Sequence, residues 1–171
     1  GMHSGVISES TPSRGSSSRI TYVRSKAMAE REIQLALRHG LPAIIINPAN
    51  IIGAHDHVNW SRLFRLVAQR RLPGLPSGGG SFCSASAVAK AVVTAIDRGR
   101  VGSNYLLGGA DASYVALARQ AGQMLGHRVR LRTMPLPLLH AYAQLEEGIA
   151  PLFGRPPDVT RDAVKLLSGT M

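Results

Sequence analysis

The chain has 171 residues, 44% of them hydrophobic, and 20 Lys and Arg against 10 Asp and Glu give a formal charge of +10. That is enough chain to bury one core. The longest apolar runs, such as Ala43 to Ile46, are too short to cross a bilayer, and a single cysteine, Cys83, excludes an internal disulfide. The basic residues stand as singles and pairs (Arg70-Arg71, Arg98, Arg100, Arg128, Arg130, Arg132) with no long run and no interleaved aromatics. The expectation is therefore no specific nucleic-acid partner, no membrane and a cytoplasmic location, with the charge serving an anionic cofactor or substrate, or a more acidic partner segment.

Gly1 ahead of Met2 reads as a remnant of tag removal. Ser4 to Ser18 is rich in Ser, Thr, Pro and Gly, so residues 1–18 are expected to be a flexible segment. Tyr22 to Arg38 carries apolar residues among charged ones, without Gly or Pro until Gly40, which predicts a helix with a glycine stop. AIIIN, Ala43 to Asn47, closed by Pro48, predicts a strand covered on both faces, as in a parallel sheet.

Trp60 to Gln69 predicts a second helix. LPGLPSGGGS then reads as a loop, with Gly78-Gly79-Gly80 flexible, and a short apolar stretch surrounds Phe82. Ala85 to Arg98 predicts a helix ended by Gly99, and NYLLGG, Asn104 to Gly109, a second buried strand. Ser113 to Leu125 predicts a helix stopped by Gly126. VRLRTMP, Val129 to Pro135, has strand-type alternation, and Leu136 to Phe153 and Val159 to Leu167 read as closing helices. The sum is an α/β fold. The glycine cluster does not join a strand to a helix, so it fails as a phosphate cradle, and the first strands of a nucleotide-binding sheet are not found.

Among isolated residues, His55 and His57 around Asp56 suggest a metal only weakly, and a solvated loop is the expectation; no metal site is assigned. Cys83 is expected to be a small buried hydrophobe, and Trp60 to pack on the core. Tyr142, Leu145 and Ile149 share a helical face suited to a core or subunit contact, and Glu146-Glu147 reads as the wet side of that helix.

Tyr22 and Lys26 lie four apart and therefore on one face of their helix. An ammonium one turn from a phenol favours the phenolate, which suits a proton donor or acceptor in carbonyl and alcohol interconversion. A packed ring beside a solvated amine is the alternative, since such pairs also arise by chance.

The surroundings of the pair carry a resemblance. YVRSKAMAE, Tyr22 to Glu30, resembles the YxxSKxxAE stretch of extended short-chain dehydrogenases/reductases, and Glu9 to Pro12 resembles the acidic and proline segment before it. NPANIIG, Asn47 to Gly53, followed by Asp56, is similar to RPxxVYGPxD. AIDRGRVG, Ala95 to Gly102, and NYLLGG are similar to the ALERGRxGxxYxLGG segment of the dihydroflavonol reductase and sugar-nucleotide epimerase branch. Leu125-Gly126, Pro135 to Pro137 and Gly154 to Pro156 continue in order.

The resemblance implies the C-terminal part of a Rossmann-like doubly wound parallel sheet, residues 19–171, with a small helical substrate lobe at roughly 50–80 and 127–171 and the N-terminal nucleotide-binding half absent. It implies Tyr22 as acid/base, Lys26 on the nicotinamide ribose, and Pro48, Ala49, Asn50 and Ile51 near the nicotinamide. NAD or NADP is the expected cofactor of the parent protein, with weak or no binding by this chain alone. The implied reaction is hydride transfer at a carbonyl or alcohol of a sugar nucleotide or flavonoid-like ketone. A homodimer through the helix of Tyr22 and Lys26 is the implied assembly. The other reading kept is a non-catalytic binding or scaffold module for anionic ligands. Departures are Asn47 for the usual Arg, Ile52 for the Tyr, and Ser86 and Ala87 for the acidic pair of FVHVDDVA; Ser86 is still able to cap a helix in its place. The family's catalytic Ser or Thr is not located.

Overall fold

The computed structural model describes residues 7–13 and 15–168. Gly1 and Ser4 lie outside these residues. The described residues divide into two compact units, one within 7–53 and 81–110, the other within 54–80 and 111–168.

In the first unit, a 3-10 turn at Gly15–Ser17 leads into helix α1, Thr21–Arg38. Ser18 is buried, and its hydroxyl accepts from the Ile20 N–H. The helix stops where Gly40 takes φ +89, a conformation open to glycine. Strand β1, Ile45–Pro48, follows, and then β2, Asn50–Ile52. Strand β3, Gly79–Ser84, runs parallel to β2 with Asn50 opposite Phe82. Helix α3 spans Ala85–Arg98 (α2 lies in the second unit), and strand β4, Asn104–Leu107, runs parallel to β1 with Ile45 opposite Asn104. Strand β5, Ala110–Ser113, pairs with β3; its residues 111–113, like Gly79 and Gly80 of β3, belong to the second unit.

In the second unit, α2 (Trp60–Ala68) packs with α4 (Tyr114–Met124), and α5 (Leu136–Ile149) packs with α6 (Arg161–Ser168). Leu139, Ala143 and Val164 form a core cluster flanked by Met134, Leu136 and Val159. Trp60 stacks on Tyr114, ring centroids 6.0 Å apart.

The parallel α/β architecture follows the sequence expectation, and several details differ from it. Strands β1 and β4 are only half-buried rather than covered on both faces. Val129 to Pro135 is not a strand: it makes one isolated parallel bridge, Leu75 to Thr133, with the Met134 N–H donating to Leu75 O at 2.8 Å. Pro73 and Pro76 flank Leu75 and offer no N–H, so a ladder cannot extend from it. The glycine triplet is not all loop, because Gly79 and Gly80 open β3. At Gly79 a side chain would meet the Ala112 carbonyl, which explains glycine there.

The fifth helix ends at Ile149 and continues as a 3-10 turn, Ala150–Phe153, in which Pro151 supplies no N–H. The last helix begins at Arg161, two residues later than expected, and the Thr160 hydroxyl accepts from the Ala163 N–H. Ser84, rather than Ser86, caps α3 by accepting from the Ala87 N–H at 3.1 Å. Strands β2 and β5 have no counterpart in the sequence expectation: each is three or four residues long, and ADAS has no apolar alternation.

Candidate active site

The first unit holds Tyr22, Lys26 and Pro48 to Ile51. Tyr22 is the second residue of α1 and is 61% exposed. Lys26, one turn on, places its ammonium 5.9 Å from the centroid of the Tyr22 ring. That distance lies at the outer range of a cation–π contact. Within the described residues, no hydrogen bond or ion pair occupies the Tyr22 hydroxyl or the Lys26 ammonium.

The other tyrosines serve different ends. Burial pushes the Tyr114 phenol up. Burial does the same at Tyr142, reinforced by Glu146 and Asp158. The Tyr105 oxygen accepts from the Arg100 N–H at 3.1 Å, and this contact chiefly lowers its phenol below the usual value. Only Tyr22 combines an open ring, an unoccupied hydroxyl and a neighbouring ammonium.

A network that sequence reading did not find fixes the helix to the sheet. The Asn47 amide donates to Asn104 Oδ1 at 3.0 Å, and the Asn104 amide donates to Glu30 Oε1 at 3.1 Å. Asn47 is the third residue of β1, Asn104 opens β4, and Glu30 lies two turns beyond Tyr22 on α1. The residue replacing the usual Arg thus bonds across the two strands, and β4 passes the tie on to the helix. On β4, the Leu106 N–H donates to Glu9 Oε1 at 3.1 Å. That backbone hydrogen bond is the main reason the Glu9 carboxyl sits below the usual carboxylate range.

Pro48 through Ile51 connect β1 to β2 in the same unit. The Ala49 N–H is taken by Leu107 O at 2.9 Å, and the Asn50 amide by Ser81 O at 3.0 Å. These two donors are therefore used by the fold, and a nicotinamide group would meet the turn through shape and other backbone atoms. The Lys26 ammonium, in contrast, is available for a ribose hydroxyl, so the residues present fit such a group at Lys26 more directly than at 48–51.

Asp56 has a structural role. Its carboxylate accepts from the Val58, Asn59 and Ser61 N–H groups at 2.8–3.1 Å and organises the start of α2. Desolvation raises its carboxyl, but the backbone donors of Asn59, Ser61, Val58 and Trp60 outweigh it, and the net direction is down. His55 takes φ +67 beside it. Cys83 is buried and its thiol faces Asn50 O at 3.6 Å. Glu146 and Glu147 are not a wet face: Glu146 receives two hydrogen bonds from Arg155, at 3.0 and 3.2 Å, and Glu147 pairs with Arg161 at 2.6 Å. Leu145 is exposed and lies outside the core. Among the described residues, no helix is long and apolar enough to cross a membrane.

Three comparisons bear on this arrangement. The family model described as "Male sterility protein", an NAD-binding family, matches residues 2–92, just over half of the chain. A Synechocystis sp. protein described as "Putative dihydroflavonol 4-reductase" is 28% identical over 156 residues, which is 88% of this chain and 46% of that protein. The crystal structure of gox2253 superposes with TM-score 0.75 at 30% identity, covering 97% of this chain and 52% of that one. A nucleoside-diphosphate-sugar epimerase from Pseudomonas aeruginosa, 23% identical, shares the fold with TM-score 0.66 over 99% of this chain and 54% of its own. The chain spans about half the length of the relatives it matches, and the parallel sheet with its helices is the corresponding part of a Rossmann-like fold. From the matched residues 2–92 and the shared architecture, the chain belongs to the NAD-binding male sterility protein family, within the extended short-chain dehydrogenase/reductase superfamily.

Proposed function

We propose that the chain is the substrate-side portion of an NAD(P)-dependent reductase or epimerase, with Tyr22 as its acid/base. The observation that carries this reading is the open phenol of Tyr22 with the Lys26 ammonium 5.9 Å from its ring centroid. A bound nicotinamide would supply the hydride acceptor or donor. The chain's own part is to hold and move one proton: the Tyr22 hydroxyl gives it to the oxygen of a carbonyl substrate, or takes it from an alcohol in the reverse direction. Lys26 binds the ribose and stabilises negative charge on the Tyr22 oxygen as the proton leaves. The Asn47, Asn104 and Glu30 side chains keep α1 in register with the end of β1, which sets where the proton donor stands. Candidate substrates are the carbonyl or alcohol of a sugar nucleotide or a flavonoid-like ketone.

The test is Tyr22→Phe in the protein joined to a dinucleotide-binding half. Turnover should fall by about 10²-fold or more, the usual worth of a positioned acid/base, with cofactor affinity nearly intact. Unchanged turnover would end the assignment. The homodimer belongs to the same reading: α1 has no buried residue and leaves Met28 and Leu35 exposed. Sedimentation of the joined protein should give a dimer that Met28→Glu weakens.

A further inference from the structure

The arginines that look scattered along the sequence gather in the second unit. From Arg128 to Arg132 exposure alternates: Arg128, Arg130 and Arg132 are exposed, Val129 is half-buried and Leu131 is buried. Val129 turns inward onto Gly122, where a side chain would collide with it. The outward arginines therefore recur every second residue along one side of this segment, about 6.6 Å apart along the chain where it is extended. Arg119 on α4 faces the same groove, its guanidinium donating to Leu131 O at 3.0 Å.

A cavity of about 590 Å³ lies between these groups, with Gln123 beside them. A second, of about 470 Å³, shares Arg119, Leu131 and Arg132 and is bordered by Ser77, Ser113 and Thr133. Among the described residues, no carboxylate lines either one. Among the described residues, none of the four arginines makes an ion pair. Four cations around a trough without a counter-charge repel one another, and a linear polyanion removes that repulsion.

We propose that this trough binds the phosphodiester backbone of a single-stranded nucleic acid without reading its sequence. A row of guanidiniums on alternate residues suits successive phosphates, each able to take two parallel hydrogen bonds. The concave wall suits a strand better than the flat surface of a membrane. The trough continues past the row into a hydroxyl-bordered cavity, so it is longer than one phosphate group needs. Among the described residues no aromatic side chain lines it, so binding rests on electrostatics rather than on base stacking.

Fluorescence anisotropy of the 171-residue chain with a labelled 12-nucleotide oligo-dT, over 25 to 200 mM salt, tests this. Four neutralised phosphates on a single strand give a slope of log affinity against log salt of about −3. Arg128→Ala/Arg130→Ala/Arg132→Ala should make the slope shallower by about 2 and weaken binding at least about tenfold at low salt. The corresponding Lys triple should keep the slope. Arg38→Ala/Arg98→Ala/Arg100→Ala removes the same charge from the first unit and should leave affinity within about threefold. Single Ala variants, each shallower by about 0.7, keep the test decisive if the Ala triple loses its fold. Equal loss in the two Ala triples overturns the proposal. So does equal competition by polyglutamate of the same charge, or triphosphate binding as tight as the oligonucleotide's.

Discussion

The two units differ in how far each has closed its own core. In the second, Leu66, Val67, Tyr114, Leu139 and Val164 are buried on four helices, and Leu75 and Leu131 are buried in the segments outside them. In the first, among the described residues, only Phe82 and Cys83 of the hydrophobic ones are buried, and neither α1 nor α3 buries a single residue. Met28, Val93 and Ile96 stand exposed on those helices. A helix gains most of its stability from burying an apolar face. The second unit therefore supplies fixed packing, and the first presents the candidate chemistry on surfaces still open to a covering element.

This contrast can be broken by mutation, with the largest effect in the closed core. Leu139 is 2% exposed within its cluster, so Leu139→Ala should destabilise the fold by about 2–5 kcal/mol in denaturant unfolding, while Met28→Ala should stay within about 0.5 kcal/mol. Equal losses would show that α1 contributes as much packing as α5. Next comes Gly122→Ala, whose new methyl would collide with Val129; a loss of about 1–3 kcal/mol is expected from the melting curve.

A smaller effect is expected at Glu146. Arg155 hydrogen bonds first, and then the Asp158 N–H, hold its carboxyl below the usual range. A carboxylate lowered in the folded state contributes stability that is present above its unfolded value and lost as the pH falls through the folded one. Glu146→Gln should therefore cost about 1–2 kcal/mol at pH 7, with the difference from the parent shrinking below about pH 4. A constant difference down to pH 2 would remove the ion pair as the cause.

The smallest stability effect belongs to the first unit. Tyr22→Phe removes an exposed hydroxyl without a partner and should change stability by less than about 0.5 kcal/mol, so that any loss of turnover is chemical. Titration of this chain with NADPH should show weak or no binding, since no glycine-rich turn links a strand to a helix among the described residues. A micromolar dissociation constant would overturn this expectation.

Local rules are legible without coordinates. The helix over Tyr22 to Arg38, its glycine stop, the AIIIN strand and the Ala85 to Arg98 helix follow from periodicity and breakers acting within a few residues. The placing of Tyr22 and Lys26 on one face follows from the helical repeat alone. The strand expected at Val129 to Pro135 fails for a nonlocal reason: its alternation is real, but the segment opposite it carries two prolines.

The amino-acid order thus determined the sequence of elements, the spacing of the phenol and the ammonium, and the family motifs. Tertiary structure alone decided the Asn47, Asn104 and Glu30 tie, which spans 57 and 74 residues, the Glu9 bond to Leu106 across 97, and the gathering of Arg119 with Arg128 to Arg132. The physical reason is that turns, caps and helical faces are set by neighbours a few residues apart. Contacts between distant residues exist only once the chain has met the entropy of closing the loops between them, and nothing in their local sequence announces the partner.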